Sequence, residues 1–172
     1  LETLSSAPDA AIVAIGACTF TDDDLAAGFV RQTFSVAIDA RSAQGMGGRI
    51  DGDTVSWWLR QPEAARLALL ADPKRTVDAL LDFAAWVKRH GGEAPRIWGN
   101  GANFDNVILR QTFERAMIDA PWSHRDDRCY RTLKNLRPDV AFEPYGTHHN
   151  ALDDAFAQAK HAERILGAMR GD

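Results

Sequence analysis

The stretch Ala10-Ala11-Ile12-Val13-Ala14-Ile15-Gly16-Ala17-Cys18-Thr19-Phe20 decides the reading of the fold. It is almost continuously apolar, includes β-branched residues, and runs into the acidic turn Thr21-Asp22-Asp23-Asp24. A short apolar run bounded by a turn reads as a buried strand. Beyond the turn, Phe29–Ile38 (FVRQTFSVAI) alternates in part, so the two segments predict an antiparallel hairpin. If Leu1 ends a preceding strand, the chain opens with three consecutive strands.

Helical signals dominate the rest. Gln44–Gly52 (QGMGGRIDG) reads as a flexible Gly-rich loop, because no strand-to-helix phosphate-loop pattern surrounds it. Asp53 or Thr54 is expected to cap a helix through SWWLRQPEAARLALL, interrupted or kinked at Pro62. Asp72-Pro73 predicts the start of a helix that reaches about His90 and stops at Gly91-Gly92. Arg96–Gly99 is a short strand candidate, and Phe104–Ala116 a helix. Asp126 or Asp127 is expected to cap RCYRTLKNL, which ends at Pro138. A last helix spans about Asn150–Met169, with Leu152, Ala155, Ala159, Ala162 and Leu166 on one stripe. Strands, helices, a strand and more helices predict one α/β domain over residues 1–172: a mixed sheet flanked by helices.

Composition narrows the function classes. The 172 residues suffice for one core; 45% are hydrophobic and 26% charged, as in ordinary soluble domains. No run is long enough to span a membrane and no signal-peptide pattern appears. Cys18 and Cys129 are expected to be free, reduced thiols, which together suggest a cytoplasmic protein. A net charge of −4 argues against a protein that coats nucleic acid through a broad basic surface. It does not argue against an enzyme that grips a strand end and meets phosphate charge with bound cations.

Three places set carboxylates beside apolar sequence. Glu2 lies within Leu1-Glu2-Thr3-Leu4, and reads either as a surface residue or as a cation ligand at a strand end. Asp105, in Gly99-Asn100-Gly101-Ala102-Asn103-Phe104-Asp105-Asn106, reads either as a helix-dipole partner or as a ligand at a Gly-rich strand-to-helix junction. Thr147-His148-His149-Asn150-Ala151-Leu152-Asp153-Asp154 reads either as a helix cap or as a site. Together they provide acids from separate segments plus a histidine. Two-metal phosphodiester cleavage needs this set: Mg²⁺ and Mn²⁺ prefer oxygen ligands, and a near-neutral imidazole can take a proton from water.

These residues resemble the DnaQ-like (DEDDh) 3′–5′ exonuclease superfamily. LETL looks like the tail of its D-x-E-T motif, NGANFDN like its second motif, and HNALDDA like the H-x4-D third motif, selecting His149 and Asp154. WWLRQ, WGNGANFDN, WSHRDDRCYRTL and HHNALDDA resemble the phage and mycobacterial exoribonuclease branch related to ribonuclease T. The resemblance implies a ribonuclease H-like fold with a mixed five-stranded sheet. It implies two Mg²⁺ or Mn²⁺ ions held by Glu2, Asp105 and Asp154, with His149 as general base and Asp153 as a neighbour. It implies attack on an RNA or DNA 3′ end, with release of nucleoside 5′-monophosphates; RNA is favoured by the branch alone. Thr3, Leu4, Phe104 and His149 match positions that meet the terminal nucleotide; Leu4 and Phe104 otherwise read as core packing. The superfamily's first Asp falls immediately ahead of Leu1, so the parent protein is expected to carry Asp there, and the chain to start within the first motif.

Other residues stay open. Trp57 and Trp58 point about 100° apart on a helix, so one lines a substrate groove or both serve the core or a subunit interface. Arg125, Arg128 and Arg131 touch phosphates or pair with Asp126, Asp127 and other surface acids. A homodimer is expected, since related enzymes often form one. Two rival readings are a nucleic-acid-binding module with impaired catalysis and a zinc hydrolase using His148 and His149. The latter lacks any H-E-x-x-H helix.

Overall fold

A computed structural model describes residues 1–21 and 31–171. The predicted turn Asp22–Asp24 and the start of the second hairpin strand lie outside the described residues. Three strands open the chain: β1 (Glu2–Thr3), β2 (Ile12–Cys18) and β3 (Thr33–Ala37), paired antiparallel in the order β1-β2-β3. The apolar run is thus a strand. β2 pairs on one edge with β3 from Ala14↔Ala37 to Cys18↔Thr33, and on the other with Glu2 and Thr3.

Four helices follow: α1 (Ala40–Gly45), α2 (Gly52–Trp58), α3 (Glu63–Ala68) and α4 (Thr76–His90). Asp39 caps α1 by accepting from Arg41 N–H and Ser42 N–H, so the helix runs into the segment expected to be a flexible loop. The remaining loop is pinned: Arg49 N–H donates to Asp9 O and Ala11 N–H to Arg49 O. α2 starts after Asp51 rather than Asp53 or Thr54; the Asp51 carboxylate instead accepts from Ser5 Oγ at 2.5 Å. Pro62 separates α2 from α3, and α4 begins after Arg75, three residues beyond the expected Asp72 cap.

The C-terminal half holds β4 (Ile97–Gly99), a π-helical turn (Ala102–Asn106), α5 (Val107–Arg115), a 3₁₀ turn (His124–Asp126), β5 (Asp127–Cys129), α6 (Tyr130–Leu136) and α7 (Ala151–Arg170). Asp126 and Asp127 do not cap the helix. Asp127 starts a strand parallel to β4, and α6 begins only at Tyr130.

Among the described residues the strands form two sheets, three antiparallel and two parallel, instead of one five-stranded sheet. β1 contributes only Glu2 and Thr3, and its ladder is with β2 alone. The main core joins β2, β3, α4 and α5 through Ile12, Ile15, Leu80, Phe83, Ile108 and Phe113. A second cluster, Tyr130, Leu133, Ala162 and Ile165, fixes α6 on α7. Buried His161 reinforces it: its Nδ1 lies 2.6 Å from Tyr130 Oη and its Nε2 2.9 Å from Val140 O. Of the predicted α7 stripe, Ala159 and Ala162 are buried, while Leu152, Ala155 and Leu166 are half-buried. Both cysteines are free thiols. No helix among the described residues is long and apolar enough to cross a membrane.

Candidate functional site

Three backbone devices bring the acids together. On β1, successive side chains face opposite ways. Thr3 turns inward: it is buried, its Oγ1 donates to Ser5 O at 2.7 Å, and its carbonyl accepts from Trp58 Nε1 at 2.9 Å. Glu2, next to it, lines a cavity of about 560 Å³. After β4, Gly101 O accepts from both Phe104 N–H and Asp105 N–H and closes the π-helical turn. Buried Asn106 anchors that turn, its Nδ2 donating to Ile97 O and Asp127 Oδ1, each at 2.9 Å, and Asp105 lines the cavity beside it. At the start of α7, Asn150 Oδ1 accepts from Leu152 N–H and Asp153 N–H, and Asp154 enters the same cavity one turn along.

The Leu1 backbone nitrogen lies 3.0 Å from Asp105 Oδ1. Burial pushes the Glu2 carboxyl up to about 7, with the Asp154 and Asp105 charges adding to the rise. Asp154 is also raised, by burial, against the pull of His148 and His149. Carboxylates this close and this poorly hydrated favour protons or cations.

His148 and His149 also line the cavity, their rings 3.8 Å apart. His149 has φ +64°, a left-handed conformation unusual for a residue with a side chain. Trp57 meets its ring edge-to-face at 4.7 Å and Trp58 at 6.2 Å. Burial and then the neighbouring His148 lower the His149 pKa, against the Asp154 charge. Trp58 is buried and Trp57 is 41% exposed. Neither tryptophan lines the cavity; they buttress it.

The remaining expected residues divide. Phe104 lines the cavity. Thr3 and Leu4 do not; Thr3 is buried behind it and Leu4 packs on the main core. Asp153 accepts from Thr147 N–H at 2.7 Å, steadying the loop ahead of α7. Arg131 lines the cavity, while Arg128 donates to the carbonyls of Arg125 and Asp127. Asp127 is a structural hub that no sequence pattern marks. Its carboxylate accepts from Asn106 Nδ2 and Trp122 Nε1, each at 2.9 Å, and from Arg110, tying β5 to the Asp105 turn.

The donor set suits a hard divalent cation: three carboxylates, mutually repelling, with Glu2 already proton-loving. As arranged, the side chains form no ready group of three or more metal-ligating residues among the described residues.

Three carboxylates and two histidines thus line one cavity of this α/β domain, a donor set of the kind that metal-dependent hydrolases use. The chain is a member of the Rv2179c-like 3′–5′ exoribonuclease domain family, whose model matches residues 1–166. This bears out the resemblance to the mycobacterial exoribonuclease branch of the DnaQ-like superfamily. No curated protein and no solved structure matches the chain significantly.

Proposed function

We propose that the domain is a divalent-metal-dependent 3′–5′ exoribonuclease of the cytoplasm that removes nucleoside 5′-monophosphates from an RNA 3′ end. Glu2, Asp105 and Asp154 are its Mg²⁺ or Mn²⁺ ligands. The observation that carries this reading is the convergence of three carboxylates from β1, the π-helical turn and α7 on one cavity that His149 also lines. When bound, two ions supply Lewis-acid polarisation of the scissile phosphate and a water of lowered pKa. His149, its pKa lowered, is neutral near pH 7, so a ring nitrogen can accept the proton of the attacking water. Phe104 flanks the terminal nucleotide, with Thr3 and Leu4 behind it.

The proposal includes one mixed, ribonuclease H-like sheet. The strand directions support it: β1, β2 and β3 pair antiparallel and β4 and β5 parallel, the mixture such a sheet contains.

The test is digestion of 5′-labelled RNA and DNA, with free or phosphate-blocked 3′ ends, by the protein and its Asp105→Ala variant. Free-ended RNA should shorten stepwise with Mg²⁺ or Mn²⁺ and not with chelator. Asp105→Ala should lose several kcal/mol of transition-state stabilisation, about 10³-fold in kcat. Equal cleavage of blocked ends, or full activity in Asp105→Ala, would refute the mechanism. RNA binding without cleavage would instead identify a binding module.

A further inference from the structure

The cleft is charged oppositely across its lining. Facing the acids, α6 contributes Arg131 and Lys134, three residues apart and so on one helix face. Arg131 is exposed, and its Nη2 donates to Asn100 O at 2.7 Å. Gly101, at φ +118°, leaves room for that guanidinium: a Cβ there would stand 3.4 Å from Arg131 Cζ. Lys134 Nζ lies 5.7 Å from the centre of the Tyr130 ring. Neither cation forms an ion pair among the described residues, whereas nearby Arg110, Arg137 and Arg164 pair with Asp127, Asp139 and Glu143. Phe142 and Tyr145, lining the same cleft, are 49% and 51% exposed, and Tyr145 rests on Phe156 with ring centres 4.6 Å apart.

From this we infer that Arg131 and Lys134 form a subsite for a backbone phosphate of the strand 5′ to the bond being cut, with Phe142 and Tyr145 as platforms for unstacked bases. The inference rests on the reading that the 3′ end lies at the carboxylates. An acidic pocket repels every phosphate except those that bound cations neutralise. The next phosphate along therefore needs cations from the protein itself. Exposed aromatic faces accept any base, which suits a processing enzyme without sequence preference. The preferred substrate is then a single strand extending at least one nucleotide beyond the one released.

The variant Arg131→Gln/Lys134→Gln keeps most of both side-chain stems. Two measurements test it. The first is Kd for a fluorescent single-stranded RNA in chelator, where no cleavage occurs, as a function of salt. The expected result is at least tenfold weaker binding, with the log–log salt slope reduced by about 0.7, the share of the one phosphate that the protein no longer neutralises. The second is the ratio of kcat/KM on that RNA to kcat/KM on a nitrophenyl ester of a nucleoside 5′-monophosphate, which has no upstream phosphate. It should fall at least tenfold. Unchanged Kd and salt slope overturn the subsite even if the enzyme is active, and an equal loss on RNA and ester overturns it too. No metal-dependent cleavage by the wild type, with the binding difference intact, would count against the carboxylate site and leave the subsite standing.

Discussion

Gly16→Ala probes the site without touching a titratable group. Gly16 lies where β2 passes under the first turn of α7. An alanine Cβ there would stand 2.1 Å from the carbonyl carbon of Ala151, 2.2 Å from Leu152 N and 2.3 Å from Ala151 O. Ordinary contact begins near 3.4 Å, so the start of α7 must retreat by about 3.4 − 2.1 = 1.3 Å. All three atoms are backbone, and no side-chain rotation relieves the clash. Asp154 and the preceding His149 would move with the helix, while Glu2 and Asp105 sit on other elements. Misplacing reacting groups by about 1 Å costs on the order of 100-fold. Overpacking of this kind costs about 1–3 kcal/mol, or roughly 2–12 °C in Tm for a domain of this size. The assay is kcat on 5′-labelled RNA beside a calorimetric melt. A variant with kcat within about threefold of wild type would refute the reasoning, because the geometry demands more than that.

Gly167→Ala is the opposite case. Gly167 lies inside α7 with nothing within 4 Å of an added Cβ, so alanine should stabilise by about 0.5–1 kcal/mol and leave kcat unchanged; a lower Tm would contradict this. Asp127→Asn should cost about 2–3 kcal/mol at pH 7 by disrupting the Asn106, Trp122 and Arg110 contacts. Burial pushes the Asp127 carboxyl up, but those hydrogen bonds hold it below its ordinary value near 3.8. Its stabilisation is therefore full above that pH and is lost as pH falls through the lower folded value. Acid melts should show that Asp127→Asn loses less stability below pH 4 than wild type does. Trp57→Ala should lower kcat about tenfold with a Tm loss of only a few degrees, and Trp57→Phe should recover most of the rate, because a 41% exposed ring serves His149 more than the core. Equal rates for Ala and Phe would sink that role.

The long elements are legible in the sequence because their signals are local. The apolar run from Ala11 predicts β2, and the Gly91-Gly92 stop predicts the end of α4, where Gly91 N–H donates to Val87 O. Asn150 is expected at the head of α7, where it is the cap. β5 is not legible. Three residues, Asp-Arg-Cys, carry no periodicity, and only pairing with β4 makes them a strand. The same applies to Asp127, whose importance comes from Asn106, Arg110 and Trp122, none of which forms a pattern with it in sequence. α1 is hidden because a six-residue helix beside three glycines looks like a loop, and only the Asp39 cap contacts reveal it. Glu2, Asp105, His149 and Asp154 stand out through motif order, which fixes identity and leaves their surroundings blank. The opposing cations on α6 and the tryptophan buttress behind His149 emerge only from the folded chain.

The left-handed backbone at His149 sets durability against turnover. A non-glycine residue held there costs about 1–3 kcal/mol. Glycine would relieve that strain and remove the proposed base in one step. Screening variants for heat resistance alone would therefore tend to discard the imidazole, and directed evolution of this scaffold has to score RNA degradation in every round.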